Sequence, residues 1–294
     1  MQGMQITIRQ LEIFRAIYQD RTITGAARRI GLSQAATSQA LAELENQLQR
    51  RLFDRHGRRI SVNAAARELL PAAIRVLDQV REIEAGARRP RLELKLFASL
   101  TVGNYMLPPL IARFTQRHPD ARFQMAIGNT QHVVRSVQQF ESDAGWIEGL
   151  SRHPDLHAIP WREDQLVVFA AVNHPLAGRR IPASALADSR WVLREQGSGT
   201  RAVFEEAMKG TFALAHAPVE LGGIGAVKRA VMAGAGLGCL SRSAIEPELK
   251  SGQLRRVFVP ALNLRRQITL VIHRQKYIDA GMKEFLRFCG SRLP

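Results

Sequence analysis

The chain has 294 residues, 46% of them hydrophobic, a net charge of +16 and a pI of about 11.2. That length suggests two or three domains, and the apolar content excludes global disorder. The basic excess favours an anionic partner, nucleic acid first and a membrane surface second, although a soluble protein that is simply basic fits the charge alone.

The excess is mostly arginine. Residues 1–90 hold fifteen arginines against nine acids, and the six lysines begin only at Lys95. The rest of the chain is basic too, so DNA need not be the only anion it meets. Cys239 and Cys289 form neither a disulfide framework nor a metal-like spacing, which fits a reducing cytosol. Met1 to Arg9 lacks the apolar core of a signal peptide. No stretch approaches the roughly 18 unbroken apolar residues of a membrane span, so a membrane partner falls away and a cytoplasmic location is expected.

From Thr7 the apolar positions Ile8, Leu11, Phe14, Ile17 and Tyr18 step by three and four, as on an amphipathic helix. Asp20–Thr22 breaks it. A short helix follows with Ala26, Ala27 and Ile30 inward, ended by Gly31. Ser33 caps a third helix whose buried side carries Ala36, Ala40, Leu41, Leu44 and Leu48. Two short helices around a glycine turn make a helix-turn-helix, whose second helix places its N-terminal residues against base edges in the major groove. Here those residues are Gln34, Thr37, Ser38 and Gln39. Glutamine suits adenine, and threonine offers a methyl and a hydroxyl. Beyond Leu52 and Phe53, the residues Arg55, Gly57, Arg58 and Arg59 read as a basic wing on phosphates, or as a solvated charge run.

These residues carry a family resemblance. Leu11-Glu12-Ile13-Phe14, Thr24 to Leu32, Ser33 to Glu45 and Leu52-Phe53-Asp54-Arg55 resemble, in order and spacing, the DNA-binding domain of LysR-type regulators. Asn63-Ala64-Ala65-Ala66 departs from the family's usual Thr and final Gly, yet Asn63 can still cap the next helix.

From Ala64 to Glu84 a long helix is expected. Leu69, Ala73, Val76, Val80 and Ile83 alternate steps of four and three, like a short coiled-coil seam. The same strip also suits a helix lying on its own domain. Pro71 should bend or fray it. The resemblance favours pairing of two chains here, and Gly86 to Pro90 reads as a hinge.

Beyond Arg91 short apolar strands alternate with helices. Leu92–Ala98, Phe123–Ile127, Ala144–Ile147 and Leu166–Ala171 read as strands. Tyr105–Arg117, Val133–Gln139, Thr200–Met208, Ala226–Ala233 and Asp279–Phe288 read as helices. This is an α/β pattern with a mainly parallel sheet, which binds ligands at strand C-termini beside helix N-termini. Four polar loops lie at such places: Ser99, Thr101 and Asn104; Gly128, Asn129 and Thr130; Gln196 to Thr200, with Ser198; and Gly222, Gly223 and Ile224. Each alone suits plain capping. Together they suggest an anion pocket.

The resemblance continues through Ala98 to Pro108, His174-Pro175-Leu176, Arg194 to Arg201 and Gly236 to Leu240. It implies an N-terminal all-α winged helix-turn-helix (1–63), a linker or dimerisation helix and hinge (64–90), and an α/β domain (91–294) like a type 2 periplasmic-binding protein. That domain would have two subdomains, 91–162 with 267–294 and 163–266, crossing near Arg162–Gln165 and Arg265–Gln267. The wording around Ser99 to Pro108 and Gly128-Asn129-Thr130 is similar to regulators of sulfur assimilation and carbon dioxide fixation. A small anionic effector is therefore implied, with Glu148 beside the pocket. Gly223-Ile224-Gly225 replaces that branch's usual Ser-Thr-Glu, and Trp146 is bulkier than its usual aliphatic residue.

No catalytic set stands out. Gly197-Ser198-Gly199 lacks the outer glycines of a nucleophile elbow. Gly234, Gly236 and Gly238 do not make a dinucleotide fingerprint. Pro154 spoils His153 and His157 as a metal pair, and Cys239 sits inertly in an apolar run. The expectation is a regulator with no enzyme activity, metal or cofactor. A solute-binding protein would not need the helix-turn-helix, and an α/β enzyme with a DNA-binding appendage would need catalytic residues. The resemblance implies a homodimer or homotetramer on an interrupted palindromic site in double-stranded promoter DNA, with RNA polymerase as a candidate further partner.

Overall fold

The computed structural model describes residues 5–56, 59–86, 92–149, 151 and 153–292. The chain divides into two compact units, Met1–Arg91 with Gln275–Gly281, and Leu92–Arg274 with Met282–Pro294.

In the first unit, Thr7 and Gln10 form a reciprocal capping box that starts α1 (Ile8–Asp20). Thr22 caps α2 (Ile23–Ile30), which ends on Gly31 at φ 67°, a left-handed conformation that glycine adopts without strain. Ser33 then accepts a hydrogen bond from Ala36 N and starts α3 (Gln34–Gln47). Phe14, fully buried, centres the core with Ile17, Leu41, Leu44 and Leu52. Ile8 and Ala36, expected inward, are exposed. They lie off the faces that α1, α2 and α3 turn to one another. Strands β1 (Phe53–His56) and β2 (Arg59–Val62) pair antiparallel from Phe53↔Val62 to His56↔Arg59. Glu45 Oε1 accepts from Leu52 N and Phe53 N at 2.7 and 3.3 Å, which ties this wing to α3.

Asn63 Oδ1 accepts from Ala66 N and caps α4 (Ala64–Gly86). The helix continues through Pro71, where a bend or fraying was expected. Ala66, Leu70, Ala73, Ile74 and Leu77 are buried within this unit.

The second unit is a sheet of nine strands in the order β4-β3-β5-β11-β6-β9-β7-β8, with β10 also on β6. The strands are β3 (Glu93–Ser99), β4 (Arg122–Gly128), β5 (Ala144–Glu148), β6 (Leu156–Ala171), β7 (Trp191–Arg194), β8 (Val219–Leu221), β9 (Leu237–Ser241), β10 (Leu254–Val257) and β11 (Arg265–His273). β3 runs parallel to β4 and β5, and β7 parallel to β8 and β9. All pairings made by β6 and β11 are antiparallel. The sheet is thus mixed rather than mainly parallel. The difference comes from two long strands that run through both lobes: β11 follows β6 from His273↔Leu156 to Arg265↔Gln165, and β6 then continues against β9 and β10.

Helices α5 (Leu107–Arg117), α6 (Thr130–Gln138), α7 (Gly199–Met208), α8 (Ile224–Met232), α9 (Arg242–Ser251) and α10 (Ala280–Phe288) cover the sheet. In the second lobe the alternation of β6 divides the core cleanly. Leu166, Val168 and Ala170 join Trp191 and Phe204 of α7 on one face. Val167 and Phe169 join Val227 and Val231 of α8 and Ile245 of α9 on the other. The helix expected from Tyr105 begins directly after β3 at Leu100, and passes through a π turn at Val102–Met106 before α5. Such wider turns are often found where a helix serves a site.

Candidate functional sites

The start of α3 presents Gln34, Ala35 and Gln39 exposed and Ser38 partly so. Gln39 Nε2 donates to Glu43 Oε1 at 3.0 Å. Thr37, expected among the base-reading residues, faces the other way. It is fully buried and its hydroxyl donates to Ser33 O at 2.9 Å, so it faces the core and cannot reach a base edge. Arg55 and Arg59 belong to the paired wing strands, while Gly57 and Arg58 lie outside the described residues. On α2, Arg28 is exposed and Arg29 forms a bidentate pair with Asp20. The Arg29 hydrogen bonds hold the Asp20 carboxyl below its usual value.

Helix α4 carries a second apolar strip beside the buried one. Val76 is 41% and Ile83 76% exposed, with Leu69 and Val80 half-buried. Ala73, expected on this strip, packs inward.

The second site is built around a side chain that the sequence did not single out. Arg266, on β11, is only 6% exposed. Its Nε donates to Asp164 Oδ2 at 2.7 Å, Nη1 to Thr200 Oγ1 at 2.9 Å and Nη2 to Thr101 Oγ1 at 3.2 Å. Nη2 also lies 3.5 Å from Glu148 Oε1. Glu148 Oε2 accepts from Thr200 N at 3.1 Å and Thr200 Oγ1 at 3.3 Å, which places the carboxylate at the N-terminus of α7. Since the guanidinium can only donate, it takes lone pairs of Thr101 and Thr200 and leaves their hydroxyl hydrogens for Glu148. Burial pushes the Glu148 carboxyl up, but Arg266, Thr101 and Arg194 together hold it below the usual value, so it is ionised at neutral pH.

Six of the expected residues meet here: Thr101, Glu148 and Thr200 within the ring, and Ser99, Thr130 and Ser198 on the loops beside it. Ser99, Ser198 and Thr200 are at most 2% exposed and Thr101 1%. Ser99 ends β3 opposite Gly128, two residues before Thr130. A Cβ on Gly199 would stand 2.7 Å from both Thr130 Oγ1 and Glu148 Cβ, so only glycine lets the loops close this tightly. The hydroxyls of Ser99, Thr130 and Ser198 are buried without a hydrogen-bond partner, as are Glu148 Oε1 and Arg194 Nη1. Arg194 otherwise grips Glu195 through two 2.7 Å hydrogen bonds. Each unpartnered group costs about 1–3 kcal/mol. Donors at the starts of three helices, with a second arginine, suit a small polar anion.

The remaining expected residues sit differently. Asn104 is exposed and bonds Leu100 O within its own helix. Asn129 caps α6 through His132 N at 3.0 Å. Gly223 caps α8 through its carbonyl, which accepts from Val227 N. Ile224 is 4% exposed within the α8 core, so its side chain does not line the cluster. Trp146 is buried with an unpartnered Nε1 and stands edge-on to Trp161 at 6.0 Å. Burial pushes the Cys239 and Cys289 thiols up to about 12, which makes both poor nucleophiles. Among the described residues, no group of three or more His, Cys, Asp or Glu could hold a metal, and no helix is long and apolar enough to cross a membrane.

Comparison with known proteins matches residues 8–67 to the bacterial regulatory helix-turn-helix protein, lysR family, and residues 87–294 to the LysR substrate binding domain. The chain is similar to the HTH-type transcriptional regulator YeiE of Escherichia coli, 41% identical over 97% of this chain and 98% of that one. It is also similar to CysL of Bacillus subtilis, 31% identical over 89% of each. The RuBisCO operon transcriptional regulator of Allochromatium vinosum is 30% identical over 98% and 97%. Among solved structures, a full-length OxyR variant from Pseudomonas aeruginosa superposes at TM-score 0.79, with 21% identity over 98% and 94% of the two chains. The CcmR regulatory domain of Synechocystis in complex with 2-PG gives 0.63, with 26% identity over 67% and 95%. With both family models matched in chain order, the protein belongs to the LysR family of DNA-binding transcriptional regulators, in the branch related to the sulfur and carbon dioxide fixation regulators.

Proposed function

We propose that the chain is a one-component cytoplasmic switch, in which a small anion held between two α/β lobes alters how a homo-oligomer sits on promoter DNA. Residues 1–63 bind DNA through Gln34, Ser38 and Gln39 on bases and Arg55, Arg58 and Arg59 on phosphates. Residues 64–90 pair two chains along the exposed strip of α4. Residues 91–294 sense the effector.

The observation that carries the sensing role is the set of buried, unpartnered hydroxyls of Ser99, Thr130 and Ser198 beside Arg194 Nη1. Thr101 and Glu148 come from the first lobe and Thr200 from the second, with Arg266 on the shared strand joining them. A ligand preferring this closed arrangement would shift its population, and only that differential affinity can drive a switch. The complex of CcmR with 2-PG supports an anionic ligand for this domain type.

The test selects a promoter fragment from genomic DNA with the full-length protein, then follows the complex by anisotropy against a panel of small metabolite anions. At least one anion should change DNA affinity in the wild type and not in a Ser99→Ala, Ser198→Ala double variant that still binds DNA. If no anion changes either DNA binding or thermal melting, the sensing role is wrong.

A further inference from the structure

The inter-lobe site contains more than anion-binding donors. Glu148 is 4% exposed and is an acceptor only; its Oε1 lies 3.5 Å from Arg266 Nη2 and takes no close hydrogen bond, so a lone pair stays open there even with the Thr101 hydroxyl turned to this carboxylate. An oxygen of a bound ligand can approach that atom favourably only if it carries a hydrogen. The charges facing Glu148 reinforce this. Arg266 on β11 and Arg194 on β7 are cationic, while Asp164 on β6 and Glu195 after β7 are anionic and paired with them. With Glu148 itself, these groups sum to one net negative charge. Helix N-termini and hydroxyls can offset one further anionic charge; a second would face an uncompensated carboxylate in a low-dielectric setting.

Resting on the anion-sensing reading above, we infer that the effector is an oxyanion that still bears an acidic hydrogen, donated to Glu148, and that the fully ionised form of the same shape is rejected. Arg194 and the hydroxyls of Ser99, Thr130 and Ser198 take the charged oxygens, while Glu148 reads the hydrogen. A site built around a ligand hydrogen excludes analogues lacking it far better than an apolar pocket excludes a wrong size.

Isothermal titration of the full-length protein with sulfite, inorganic phosphate and sulfate tests this. Sulfite and phosphate retain a hydrogen near neutral pH and sulfate does not. Sulfite or phosphate should bind at least ~100-fold more tightly than sulfate. The affinity of sulfite should fall about tenfold per pH unit above its own ionisation. Cys239, the thiol that feels Arg266, stays neutral across that range with its value pushed up to about 12. Glu148→Gln, whose amide both donates and accepts, should bring sulfate within ~tenfold of the other probes and flatten the pH slope. Sulfate binding as tightly as sulfite or phosphate, or a pH-independent sulfite affinity in the wild type, would overturn the hydrogen requirement and leave the anion site standing. Failure of every probe to bind both proteins would remove the anion site itself. Should Glu148→Gln not fold, the wild-type sulfate ratio and pH slope still decide the point.

Discussion

Replacing Arg266 by Met keeps most of the side chain's length and removes its charge and donors. Two buried carboxylates lose their main partner: Asp164, bonded at 2.7 Å, and Glu148, 3.5 Å away. Both are at most 6% exposed as side chains, so water cannot take over. Stranding a buried charge costs about 3–5 kcal/mol, a fifth or more of the roughly 5–15 kcal/mol that holds a typical domain together. Urea unfolding followed by tryptophan fluorescence isolates the effect, because Trp146, Trp161 and Trp191 all lie within Leu92–Arg274. In the wild type the Glu148 carboxyl is depressed. Its contribution is therefore full above the unfolded value of about 4.3 and is lost only as pH falls below it. In the variant, burial without Arg266 pushes the Glu148 carboxyl above that value, so stability should recover as pH falls from 8 to 5. A loss under 1 kcal/mol, or one equal at pH 5 and pH 8, would refute the reasoning.

The DNA-facing reading separates two neighbours on α3. Gln34→Ala should relax base preference at one position by about 1–3 kcal/mol, whereas Thr37→Val should leave preference unchanged and lower thermal stability by about 1 kcal/mol; a site-selection experiment on each distinguishes them. Arg58→Ala should weaken binding to every sequence alike and reduce the salt slope by about 0.9, and unchanged slopes would take Arg58 off the phosphates. The pair Val76→Lys, Ile83→Lys should shift sedimentation toward monomer, and an unaltered oligomer would place the interface elsewhere. Gly199→Ala puts a methyl 2.5 Å from the Glu148 carbonyl oxygen; the Thr200 amide should then exchange with deuterium at least ~tenfold faster, and wild-type protection would count against the close approach.

The helix-turn-helix was legible because its signals are local. Thr7, Thr22 and Ser33 each cap a helix through their own side chains, and Gly31 takes the one backbone conformation that favours it. Thr37 escaped because a polar residue near a helix start reads as outward-facing. Its hydroxyl instead returns to the carbonyl four residues back, a bond that lets threonine enter a core. The two strips of α4 overlapped for a related reason. At 3.6 residues per turn one apolar helix can serve two partners, and sequence spacing alone put Ala73 on the wrong one. The sheet's mixed direction was hidden because pairing is non-local: β6 read as a six-residue strand, Leu166–Ala171, since its first ten residues carry Arg162, Glu163 and Asp164 in place of apolar alternation.

Those charges were themselves the signal for the site. Leu264, just before β11, and Arg266, Ile268 and Leu270 on it stand at alternate positions, and all four are buried. On β5 and β7, which are buried at every position, Glu148 and Arg194 close runs that are otherwise apolar. Alternation on β11, and burial on both faces of β5 and β7, assign to the interior a residue that cannot be buried alone. One such position could be a local exception. Three of them, on β5, β7 and β11, demand mutual neutralisation, and the antiparallel pairing of β11 with both β5 and β6 brings Arg266 to the first lobe's Glu148 and the shared strand's Asp164 together. A charge standing where a strand's pattern expects an apolar residue therefore points to the proposed ligand site more sharply than the glycine and hydroxyl loops do, since the loop Gly222-Gly223-Ile224 caps a helix over an apolar core.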